Sequence, residues 1–306
     1  MSVAVEEERF RGQPALRLTS GPLSAIFLPN LGMTGVSLRY GRSEFLALPG
    51  GLPALRRGAT LGLPLLAHWA NRLASRRYQA AGISVDLRGL HVGTDAHGLP
   101  IHGLLVGRPG WQITRRAARG DTARVAAAIE VDAPAFPFPH RIELTIRARP
   151  PRLRVNTTVR PTGHRPVPIA FGWHPYLQLD SAPRREWTLR LPARQHLALD
   201  ERGLPTGGRS PEPSEQAPVG QRVLDDLYAL GRDRRLSLEA PSRQRVELRA
   251  DANYAFAQVW VPPRRPFAAL EPMSAPTNAL VDGRAPLVAA GELFTARFDL
   301  IVSARR

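Results

Sequence analysis

Apolar and polar residues alternate along much of this chain, and that alternation leaves few folds open. In RIELTIRAR (141–149), Ile142, Leu144, Ile146 and Ala148 fall on one face and charged residues mostly on the other. Beyond Pro150-Pro151, RLRVNTTVR (152–160) repeats the pattern with Leu153, Val155, Thr157 and Val159. Successive side chains of a strand point to opposite faces, so a period of two predicts half-buried strands. Two such runs around a Pro turn predict adjacent antiparallel partners. Similar runs occupy 187–191, 234–238, 245–250, 255–261 and 293–302, the last with Phe294, Ala296, Phe298, Leu300 and Val302 facing inward. Thirty prolines and 26 glycines punctuate these runs at short intervals. Helical periodicity is scarce, its best candidate being 65–78. The stretch 199–221, rich in Pro, Gly, Ser and Glu, reads as a long surface loop. The pattern predicts an all-β fold, a large antiparallel β-sandwich, in one domain over 1–306.

Composition narrows the chemistry. The chain has no Cys, which removes disulfides, thiolate metal sites and thiol nucleophiles. It also has no Lys, which removes a Schiff base and a phosphate loop of the Walker type. No metal and no cofactor is expected. The net charge of +16 raises the possibility of nucleic acid as a partner. The arginines, however, are scattered along the sequence and not interleaved with stacking aromatics, so no nucleic acid is expected. No apolar run is long enough to span a membrane, and the acidic start MSVAVEEERF lacks the features of a signal peptide. A cytoplasmic monomer or homodimer is the expectation.

Three distant segments each carry one proton-transfer group: His102 in PIHGLLVGRPGW (100–111), His174 in FGWHPYL (171–177) and Glu271 in AALEPMSAPTNAL (268–280). His174 lies among Trp173, Pro175 and Tyr176, where aromatic faces suit a sugar. The bland alternative is a buried imidazole bonded to backbone. His102 precedes Gly103 in a polar loop. Glu271 ends an apolar run, where a carboxylate is costly unless exposed or held for use. Asn71 and Arg72 follow Trp69-Ala70, and Arg72 offers a fork of donors to ligand hydroxyls. Asp225 and Asp226 in VLDDLYAL (223–230) read either as a helix N-cap or as acceptors from a ligand.

Taken together, PLLAHWANRL (64–73), IHGLLVGRPGW (101–111), FGWHPYL (171–177), VLDDLYAL (223–230) and LEPMSAPTNAL (270–280) resemble the aldose 1-epimerases, the galactose mutarotase-like proteins, in order and spacing. The resemblance implies the galactose mutarotase-like supersandwich, with the site in a cleft on one sheet and a monosaccharide as partner. It implies His174 as general acid at the ring oxygen, Glu271 as general base at the C1 hydroxyl, and His102 as a second imidazole beside them. Arg72 and Asp225 would bind sugar hydroxyls, and Asn71, Trp173 and Tyr176 would complete the pocket. The chain departs from the family pattern at His68, where many relatives have Pro, and at Val106-Gly107, where an Arg often stands. Both positions are expected to line the pocket. The alternatives are epimerisation of a hexose 6-phosphate and sugar binding without catalysis on the same fold.

Overall fold

The computed structural model describes residues 2–304 and is built almost wholly of antiparallel strands. Two sheets dominate, one of nine strands and one of eight, and a five-stranded meander spans Val3–Phe10 to Ser43–Glu44. The alternation explains them. In the strand Phe136–Arg149, Ile142, Leu144, Ile146 and Ala148 are buried, while Arg141, Glu143, Thr145 and Arg147 lie half-buried on the other face. Its partner Arg152–Pro161 pairs antiparallel across Pro150-Pro151, with Arg149 opposite Arg152, as the sequence predicts. Each large aliphatic or aromatic side chain so buried contributes about 1.5–3 kcal/mol. Strands also form at Thr188–Leu191, Arg235–Glu239, Arg245–Ala250, Phe256–Val261 and Phe294–Ser303, over the predicted runs.

The two large sheets share a core. The Trp173 indole, wholly buried, donates to Thr157 Oγ1 across the layer at 3.0 Å and packs on Phe298 with ring centroids 5.8 Å apart. Phe298 and Thr157 belong to the nine-stranded sheet and Trp173 to the eight-stranded one.

Two expectations are corrected. The stretch 65–78 is not helical. Leu65 and Leu66 pair with Trp173 and Gly172, and Ala67, Trp69 and Arg72 form single bridges to Gly103, Ala170 and Ile101. Its apolar residues are buried all round and not on one helical stripe, and Asn71 adopts the left-handed region (φ 58°), which no helix accommodates. Among the described residues the α-helix is Gly51–Arg56. The stretch 199–221 is not a loop but two strands. Pro205–Glu212 is the edge of the eight-stranded sheet and Glu215–Pro218 the edge of the nine-stranded one. Edge strands bury little and tolerate Pro and Gly, so they lack the alternation that marks central strands.

Candidate active site

The site stands on the outer face of the eight-stranded sheet, where register lines up its side chains. Gln258 lies opposite Glu271 and Leu227; Trp260 lies opposite Ala269 and Asp225. Tyr176 pairs with the far side of Ala269. Tyr176, Trp260, Asp225, Gln258 and Glu271 therefore share one face. Asp225 and Asp226 sit in the strand Leu224–Leu230, so neither caps a helix, and Asp226 turns to the opposite face, towards His196.

Glu271 is 2% exposed, and its Oε1 lies 3.2 Å from His174 Nε2. Its Oε2 and the Nδ1 of His174 are buried with no protein partner. The His174 ring stacks on Tyr176 at 4.4 Å, and Tyr176 Oη is 2.6 Å from Thr60 Oγ1. These contacts hold the imidazole plane against the carboxylate.

His102 arrives from a segment threaded beside 67–72. Its backbone N–H donates to Asn71 O, and its ring meets His174 edge-on at 5.6 Å. Gly103 makes this possible: its φ is +69°, and a Cβ there would lie 2.0 Å from Ala67 O. Only glycine lets the two backbones approach so closely. The residues after Glu271 act as a staple. Ser274 Oγ donates to Phe171 O, Asn278 Oδ1 accepts from Ala74 N–H, and Asn278 N–H donates to Arg72 O. Much of the LEPMSAPTNAL motif thus ties the His174 and Arg72 segments to Glu271.

Arg72 is gripped from three sides. Its Nε pairs with Asp95 Oδ2 at 2.7 Å, its Nη1 donates to Asn71 Oδ1 at 2.9 Å, and its Nη2 lies 3.8 Å from Asp225 Oδ2. Asn71 therefore positions the guanidinium. Asp225 also accepts from Gln258 Nε2 at 2.6 Å and is the exposed member of the group.

Burial dominates the electrostatics. It pushes Glu271 well above the usual carboxyl range, and the nearby Asp225 charge adds to the rise. It holds His174 well below its usual value, with the His102 ring acting in the same direction. His102 is pushed down to about 3 by burial and then by the Arg72 charge. Both shifts favour the uncharged forms, a protonated carboxyl facing a neutral imidazole.

Glu271, His174, His102, Arg72, Asp225, Asn71 and Tyr176 converge. Trp173 does not: it follows Gly172 on the strand and points into the core between the sheets, as alternation requires. His68 does not join them either. Its ring stacks on Phe136 at 4.3 Å and meets His140 edge-on at 4.8 Å, both residues of the nine-stranded sheet. Val106 packs with Leu66, Ala70, Leu227 and Met273, an apolar cluster beside the polar group. The sequence reading missed Gln258, Trp260 and Asp95. Gln258 carried a signal, a polar residue at a core-like position within AFAQVWV. Asp95 also caps its own turn through His97 and Leu99 N–H, so it read as structural.

Residues 36–299 match the family model for aldose 1-epimerase. This chain belongs to the aldose 1-epimerase family. Membership implies an epimerase acting on a sugar. The chain is 25% identical over 226 residues to the uncharacterized protein YihR of Escherichia coli K12, covering 72% of this chain and 71% of that one. Among solved structures, a galactose mutarotase-like protein from Clostridium acetobutylicum superposes with a TM-score of 0.85 at 17% identity, over 99% of both chains. The galactose 1-epimerase of Lactobacillus acidophilus gives 0.79 at 13% identity, over 100% of both. At such identities the likeness is one of fold, the galactose mutarotase-like sandwich of the aldose epimerases.

Proposed function

We propose that this epimerase interconverts the α and β anomers of a free aldose by general acid–base ring opening and closure, acting as one unit over 1–306. The observation that carries the reading is the 3.2 Å pairing of Glu271 Oε1 with His174 Nε2 beside Arg72, Asp225 and His102. The C1 hydroxyl and the ring oxygen are bonded to the same carbon, so acid and base must lie side by side to reach both.

Proton transfer from Glu271 to His174 within the pair turns the neutral resting form into carboxylate and imidazolium. Sugar hydroxyls that donate to the buried carboxylate favour this form. Glu271 then takes the C1 hydroxyl proton, the C1–ring oxygen bond breaks, and His174 protonates the released oxygen. The aldehyde turns about C1–C2. On closure His174 takes the proton back from the attacking hydroxyl, and Glu271 returns its proton to the carbonyl oxygen, now on the other face. Protons and electrons balance without a cofactor. Arg72 and Asp225 take sugar hydroxyls, His102 sits at the reacting end, and Tyr176 supplies an aromatic edge of the pocket.

Arg72 supports a neutral sugar over a hexose 6-phosphate: Asp95 already pairs with its charge and Asp225 lies close by, leaving little for a phosphate dianion. The test is anomer exchange of glucose and galactose followed by NMR or polarimetry. Glu271→Gln is expected to slow it at least ~10²-fold, the usual contribution of a positioned proton-transfer group. Equal rates for wild type and variant across several aldoses would sink the reading. A preference for glucose 6-phosphate over glucose would overturn the neutral-sugar assignment.

A further inference from the structure

Register gathers arginines that are scattered in the sequence. On the outer face of the nine-stranded sheet, Arg124 lies directly opposite Arg147, and Arg147 directly opposite Arg154. One pleat along, Arg149 lies opposite Arg152. Their sequence neighbours Ala123, Val125, Ile146, Ala148, Leu153 and Val155 fill the core, so the arginines face away from it. They line a groove of about 540 Å³, with Thr122 and Asp121 at its edge.

The charges in this groove are unevenly balanced. Asp299 grips Arg154 at 2.7 and 3.1 Å and reaches Arg152 at 3.5 Å, and Asp121 takes Arg149 at 2.7 Å. Among the described residues, Arg124 and Arg147 pair with no carboxylate. Arg124 Nε is shut off from solvent and has no hydrogen-bond partner. Its guanidinium loses some of its affinity for a proton to burial, and the neighbouring Arg147 and Arg115 add to that loss. Like charges directly opposite one another on a sheet are destabilising. A bound anion would remove that cost.

We propose that this groove binds a phosphate group, free or esterified, between Arg124 and Arg147. A tetrahedral dianion offers enough acceptor oxygens for two guanidinium forks, whereas a single carboxylate occupies one. The groove's volume leaves room for the rest of an ester or a short polyphosphate. The groove lies on the sheet opposite the one that carries Glu271 and His174, so it is separate from the proposed sugar site and its occupancy does not depend on the proposed reaction.

The experiment is calorimetric titration of the full chain with inorganic phosphate, glycerol 3-phosphate and tripolyphosphate at ~0.15 M salt, where exposed charges are screened beyond about 8 Å. Wild type is compared with Arg124→Gln/Arg147→Gln. Saturable binding to wild type, weakened at least about tenfold in the double variant, is expected from the loss of charge-assisted bonds. Phosphate should raise the wild-type melting temperature and leave that of the variant nearly unmoved. The variant should keep its circular dichroism spectrum and its anomer exchange rate, which excludes misfolding as the cause of lost binding. If inorganic phosphate and glycerol 3-phosphate bind alike, the phosphate group alone is recognised; if only the ester binds, the source is esterified. Equal binding or equal thermal shifts in both proteins would overturn the proposal. So would binding of a single-stranded oligonucleotide without binding of any of the three phosphates.

Discussion

Gly103 is the residue on which the second imidazole depends. A Gly103→Ala change places a methyl where Ala67 O lies 2.0 Å away and demands φ +69° of an L side chain. It should cost about 1–3 kcal/mol in a urea melt and displace His102, lowering kcat more than it raises KM. Asp95 works through Arg72. Asp95→Asn should raise KM about tenfold with a smaller change in kcat, because the guanidinium loses its ionic anchor while the acid–base pair is untouched. His102 contributes to the pH dependence of stability. Its usual value is 6.5 and its folded value about 3, so between those pH values the unfolded chain binds a proton that the folded chain does not. Stability from this group is complete above about pH 6.5 and is lost as pH falls towards 3. Denaturant melts of wild type and His102→Gln should show the shallower acid slope in the variant. Glu271 acts with the opposite sign: its raised value makes the folded state hold a proton as pH climbs above 4.5, so its share of stability declines with rising pH.

At the scale of strands, legibility followed burial. Phe136–Arg149 and Arg152–Pro161 were readable because one face of each is core and the other is not. Pro205–Glu212 and Glu215–Pro218 were not, because an edge strand is held by backbone hydrogen bonds that carry no side-chain signature. The stretch 65–78 misled because burial on all sides erases any period. His174 and Glu271 stood out in the sequence because each is a titratable group that interrupts an apolar or aromatic run, and the fold brings the two together. Trp173 was misassigned for want of register: one position along a strand separates cleft from core. Trp173→Phe therefore tests the layer and not the site. It removes the indole donor to Thr157 and should cost about 1–2 kcal/mol of stability with kcat and KM little changed.

At the scale of the molecule, residues from Arg72 to Glu271 meet on one face of the eight-stranded sheet, and the alternation of single strands cannot predict which faces will be brought together. The arginine groove shows the same limit, since its charges become neighbours only through pairing across strands. The strand Phe294–Ser303 illustrates how far such pairing reaches. It lies inside the nine-stranded sheet, between Arg152–Pro161 and Arg245–Ala250. Deleting residues 294–304 should abolish the cooperative thermal transition altogether, not merely trim activity, because the sheet is then cut in two. On the ribosome this strand emerges after every other described strand. Before it does, the edges of Arg152–Pro161 and Arg245–Ala250 that it bridges have no strand between them, and open edges of that kind invite pairing with other chains.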